Sequence, residues 1–191
     1  VYATSAAVTA LVRLRRPEDS TRIQQMKRWL SGIQCTIQSG FEESHPAFGG
    51  FPFGSRDLSR GDSGFIDISH TRRALEALAA ADSLSAGAKA SALRFLGLLQ
   101  KHPSELARQP RIPLDAGDIL RTPFDGGFYI SPIVLGANKG GIATPEPGQA
   151  AYFYSYATAT ADGLLALRAV GVPREDLRVT AAIRWIEDHP C

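Results

Sequence analysis

Three stretches of this chain align with one another without gaps, and that internal repetition constrains the fold more than any other feature. They are Ala3–Leu14, Asp67–Leu78 and Tyr156–Leu167. Each has Ser or Thr at its third position (Ser5, Ser69, Thr158) and Ala or Gly at its eighth (Ala10, Ala74, Gly163). Leucine stands at the ninth (Leu11, Leu75, Leu164) and the twelfth (Leu14, Leu78, Leu167). Leucines and small residues three and four apart fall on one helical face and give it an apolar stripe. A small residue within the stripe lets another helix approach toward the short end of the ~8–10 Å interaxial range.

A second element follows each stretch. Arg28-Trp29-Leu30, Arg94-Phe95-Leu96 and Arg184-Trp185-Ile186 share arginine, an aromatic and an aliphatic residue. The separations are 15 positions from Leu14 to Trp29, 17 from Leu78 to Phe95 and 18 from Leu167 to Trp185. Such even spacing predicts one αα-hairpin used three times. Pro17, Pro103, Gly171 and Pro173 supply the stops, while Asp19 or Ser20 and Ser85 are placed to cap second helices. The arginines Arg28, Arg94 and Arg184 are expected on the outside, their stems lying along the surface. Gln34 leads on to Gly49-Gly50-Phe51 and Gln100 to Gly126-Gly127-Phe128. Paired glycines before an aromatic suit a tight turn that tucks a ring under the next helix. Phe51, Phe53, Phe128 and Tyr129 are expected to be such packing wedges. The loops 37–64 and 103–148 hold much of the Gly and Pro, and the second is long enough to imply a role or an ordered crossing. No alternation is strong enough to build a sheet.

Composition narrows the classes. The 191 residues carry no run near the ~18 apolar residues of a membrane span. With 21 basic and 19 acidic residues the net charge of +2 points neither to nucleic acid nor to an anionic membrane. Two cysteines, Cys35 and Cys191, make no disulfide framework. Cys35, just after the second helix and with no His or Lys beside it in sequence, is expected at the surface and is a poor nucleophile candidate. The chain starts with Val1, ends with Cys191 and reads as cut at both ends, so compartment is left open.

Trp29-Leu30 with Gln34 and Gly49-Gly50-Phe51 is similar to the glutamine–tryptophan repeat of squalene and oxidosqualene cyclases. It is closer to the glycine-rich version of prenyltransferase and squalene-oxidase repeat proteins. Phe95-Leu96, Gln100 and Asp125-Gly126-Gly127-Phe128 look like a second copy, and Trp185-Ile186 opens a third. The pattern Asp67-x-Ser69-His70-Thr71-x-x-Ala74-Leu75-x-x-Leu78 also resembles inner helices of protein prenyltransferase β subunits. The resemblance implies an all-α fold, a partial α/α toroid of inner and outer helices. Repeat units fall at about 1–54, 65–130 and 150–191 within a single fragment. It also implies an isoprenoid chain bound in a central apolar cavity. A full barrel would have six hairpins, so the missing half or a partner subunit is expected to cover the ends. No cofactor is implied.

The chemistry that such families need is not complete in this chain. A terpene cyclase acid motif, Asp-x-Asp-Asp, is absent; Asp115-Ala116-Gly117-Asp118 and the Asp62 to Asp67 stretch do not fit it. The prenyltransferase zinc set is absent too, because Asp67 is followed two positions later by Ser69 rather than Cys. No metal site is therefore expected. Asp67 and His70, three apart, share a helical face and are the candidate catalytic pair; alternatively Asp67 serves the helix dipole and His70 is its polar neighbour. Tyr152, Tyr154, Tyr156 and Phe128 are candidate binding residues. Aromatic faces stabilise carbocations, and equally they fill cores with their hydroxyls satisfied. Asn138-Lys139-Gly140-Gly141 lacks a phosphate-loop pattern. A non-catalytic toroid that binds an apolar ligand or protein partner is one alternative. A carbohydrate-active α/α barrel using Asp62 and Asp67 near Tyr154 is another.

Overall fold

The computed structural model describes residues 1–54, 61–104, 112–114, 117–119, 124–143 and 152–190. Those residues form an all-α structure with six helices: α1 (Tyr2–Leu14), α2 (Ser20–Gly32), α3 (Ile68–Ala80), α4 (Ala86–Leu99), α5 (Ala157–Ala169) and α6 (Leu177–Asp188). Extended pairing among the described residues comprises two short antiparallel pairs, β1 (Ile112–Leu114) with β2 (Gly117–Ile119) and β3 (Ile142–Ala143) with β4 (Tyr152–Phe153), and isolated bridges at Pro52–Ile66 and Gln100–Phe128.

The three aligned stretches become α1, α3 and α5. Helix α3 lies between the other two and packs on both. Helix α2 packs on α1 and α3, α4 on α3 and α5, and α6 on α5. The middle helix explains why the apolar stripe is needed. Its Ala74, Leu75, Ala77 and Leu78 are all buried. Burial of each leucine contributes about 2 kcal/mol. The alanines at the stripe keep the neighbouring helices close.

The glutamine and double-glycine elements join one hairpin to the next. The amide of Gln34 donates from Nε2 to the carbonyls of Gly49 and Ala88, both at 3.0 Å. Gln100 does the same toward Gly126 at 3.2 Å and Arg178 at 2.7 Å. Each glutamine therefore ties its own glycine turn to the first residues of the next outer helix. The Phe51 N–H donates to the Thr71 hydroxyl at 3.0 Å, and the Phe128 N–H to that of Thr160 at 3.1 Å. Gly49 (φ 87°) and Gly126 (φ 82°) are left-handed. They also press against the next outer helix: a methyl group would sit 1.7 Å from the Ser91 carbonyl oxygen at Gly49, and 2.7 Å from that of Ala181 at Gly126.

Several expectations change. Phe51, Phe128 and Tyr129 are buried as wedges, but Phe53 is 57% exposed. Its N–H pairs with the Phe65 carbonyl at 2.7 Å, an extended crossing that turns its side chain outward. Cys35 is buried rather than exposed, because its N–H and carbonyl join the turn at Gly49 and Gly50. Burial pushes its thiol up to about 12. Asp19 precedes α2 without a capping bond; its carboxylate meets Arg22 at 3.4 Å instead. Ser85 does cap α4, accepting from the Ala88 N–H. Arg28, Arg94 and Arg184 are exposed. Of the long loop, 124–143 packs across the helices. Ser131 donates to the Ile66 carbonyl at 2.6 Å, and Asn138 accepts from the N–H groups of Ile130 and Ser131.

Candidate functional site

The two candidate catalytic residues meet at the start of α3. Asp67 is its N-cap, and Oδ1 accepts the backbone N–H of His70 at 2.7 Å, satisfying one of the helix's orphan donors. The same oxygen lies 2.8 Å from His70 Nδ1. The bland and the functional roles thus coexist in one carboxylate. In the neutral ring, a proton on Nδ1 directed at a carboxylate leaves Nε2 as the lone-pair nitrogen. That nitrogen has no hydrogen-bond partner among the described residues.

Two phenyl rings wall the imidazole edge-on. Phe53 lies 5.0 Å from it at 85°, and Phe65 6.0 Å away at 83°. Both rings are largely exposed. The adjoining end of α1 adds Tyr2, whose ring lies 4.2 Å from the Arg73 guanidinium.

On the α5 side the seam is charged. Arg72 Nε is 2.6 Å from Asp162 Oδ1, with both side chains nearly buried. The N–H is not aligned for a directed bond, so this is a charge contact. Arg72 also reaches Glu76 at 2.6 Å, and Ser69 donates to the other oxygen of Asp162. Asp162 escaped attention in the sequence, although a signal exists. It is the sole charged residue in the third inner stretch, Tyr156–Leu167, at the repeat position of Thr9 and Arg73.

The aromatic candidates separate. Phe128 is wholly buried, its ring packed where a methyl on Gly163 would come within 2.6 Å. Tyr152 lies in β4, its backbone paired with Ala143. Tyr154 is exposed, and its N–H donates to the Gly141 carbonyl at 3.1 Å. Tyr156 stands at the N-cap position of α5, the repeat position that Asp67 fills in α3, but its side chain makes no capping bond. Its hydroxyl is buried. Burial pushes its pKa up to about 12; the Lys139 N–H pulls against this, and the charges of Asp67 and Asp162 add smaller upward contributions. The Tyr156 N–H donates to the Phe128 carbonyl at 3.3 Å, so these two candidates meet through the backbone. Asp62 is exposed and accepts the Gly64 N–H at 2.8 Å, a local turn. Asp115 lies outside the described residues.

Among the described residues, no group of three or more His, Cys, Asp or Glu could hold a metal ion. No described helix is long and apolar enough to cross a membrane. No family model, curated protein or solved structure matches the chain.

Proposed function

We propose that the chain is three hairpins of an α/α toroid that binds, and in the assembled protein acts on, an isoprenoid chain beside the start of α3. The observation that carries this reading is the His70–Asp67 pair set between the exposed rings of Phe53 and Phe65. Ring edges and faces offer an unsaturated hydrocarbon a large apolar contact area. The imidazole places one proton acceptor within that apolar wall, as the removal of a proton from a hydrocarbon intermediate requires. The repeated glutamine and glycine joints, with the residues that resemble cyclase and prenyltransferase repeats, support the toroid part. The charged Arg72–Asp162–Glu76 seam makes the inner surface mixed rather than wholly apolar.

Equilibrium titration with farnesol and with squalene tests the reading. The folded chain should bind at least one of them saturably, and Phe53→Ala with Phe65→Ala should weaken that binding by about ten-fold or more at unchanged helix content. Absence of saturable binding by a folded protein, or binding that ignores the double substitution, would sink it.

A further inference from the structure

A cleft of about 550 Å³ lies between the first two hairpins, where the end of α2 meets the start of α4. Its volume falls within the ~300–1,000 Å³ of small-molecule sites. The repeat supplies an internal control. Gln34 reaches the Ala88 carbonyl as Gln100 reaches that of Arg178, and Gly49 abuts Ser91 as Gly126 abuts Ala181. Those pairs fix which positions correspond in the next seam. Ser31, Gly32, Gly87 and Ser91, which line the cleft, correspond to Gly97, Leu98, Leu177 and Ala181. The same joint is thus built with leucines and an alanine, and the fold does not require this set of glycines and serines. Neither glycine of the cleft serves a turn or a close approach. Neither has a positive φ, and a methyl group on either would meet nothing within 4 Å. Glycine is also a poor helix former. Their missing side chains keep both walls of the cleft open.

The lining selects the ligand. The hydroxyls of Ser31 and Ser91 have no hydrogen-bond partner among the described residues. Thr36 and Gln38, bonded to each other at 2.8 Å, add further donors and acceptors. Among the described residues of the lining Glu43 alone is charged, and Arg94 pairs with it at 2.7 Å. An anion finds no lysine, arginine or histidine in this lining, and a cation finds the carboxylate taken. Hydroxyls and amides both donate and accept, which suits a neutral ligand rich in hydroxyl groups. We infer that the cleft is a binding site for an uncharged saccharide, separate from the rings around His70 and independent of the isoprenoid reading. The serine hydroxyls bond the hydroxyls of the sugar, and the two glycines let its ring lie against the helix backbone.

The test is an NMR titration of the whole chain with maltose, cellobiose, lactose and trehalose, and with glucuronate and glucosamine as charged comparisons. At least one neutral disaccharide should bind saturably and shift the resonances of Ser31, Gly87 and Ser91. Gly87→Leu copies the residue at the corresponding position of the next seam. It should weaken that binding about ten-fold or more by filling the cleft, while helix content and melting temperature hold or rise. Absence of saturable disaccharide binding by the folded chain would overturn the inference. So would tighter binding of glucuronate or glucosamine, or disaccharide binding that ignores Gly87→Leu.

Discussion

At the scale of single residues, the protein separates positions that hold the fold from positions that are free to do chemistry. Gly126 has a left-handed backbone and stands against the Ala181 carbonyl, so any side chain there strains the turn and pushes α6 away. His70 is half-buried, and its loss removes one hydrogen bond to Asp67 and the edge contacts of two exposed rings, Phe53 and Phe65. Gly126→Val should therefore lower stability by more than about 3 kcal/mol, and His70→Ala by about 1 kcal/mol. Urea unfolding of the two variants measures the difference. An equal loss in both would mean that the glycine turn does not govern packing. The pairing of Asp67 with His70 was legible from their separation of three on a helix. Phe53 was not, because its outward direction comes from pairing with Phe65, a contact between loop residues that no periodicity announces.

At the scale of elements, the two helices α3 and α5 end alike, and the difference between them is informative. The Ser83 N–H returns to the Leu78 carbonyl at 2.8 Å, and the Val172 N–H to that of Leu167 at 3.0 Å. The left-handed position in these endings is Gly171 after α5 but Asp82, with φ 48°, after α3. Replacing Asp82→Gly relieves that conformation and should raise thermal stability by a few tenths to about 1 kcal/mol; a lower melting temperature would contradict it. The start of α6 makes a pH prediction. Hydrogen bonding to Arg178 holds the Asp176 carboxyl below its usual value of 3.8. Its contribution is complete above the unfolded value and is lost as pH falls through the lower folded one. Asp176→Asn should thus lower stability at pH 7 and reduce the part of the acid sensitivity that appears below pH 3.8; acid unfolding curves that differ only by a constant offset would refute this. Helix existence was the best-read part of the sequence because 3.6-residue periodicity is local. The capping role expected of Asp19 failed because Arg22 takes its carboxylate.

At the scale of the whole molecule, the same face of each inner helix meets a different fate. Ser5 and Val8 of α1 are buried and Val12 is half-buried, on the side where α3 packs. The equivalent Thr158, Ala161 and Leu165 of α5 are exposed. At the other end, Ala6 and Ala10 of α1 are exposed where Ala159 and Gly163 of α5 are buried. The repeat made this succession of like seams readable, since aligned positions predict aligned contacts. The polarity of the middle seam was not readable in the same way. Arg72 and Glu76 pair within α3, but Asp162 joins them only when α3 and α5 are placed side by side, 86 positions apart between Glu76 and Asp162. The aromatic wall of Phe53 and Phe65 sits beside the start of α3, where the proposed ligand would lie. The most direct measurement is a crystal structure of the chain soaked with farnesol. The account predicts the chain of the ligand against Phe53 and Phe65, with His70 beside it. Farnesol bound elsewhere, or side chains closing that surface in a folded protein that takes up no ligand, would contradict it.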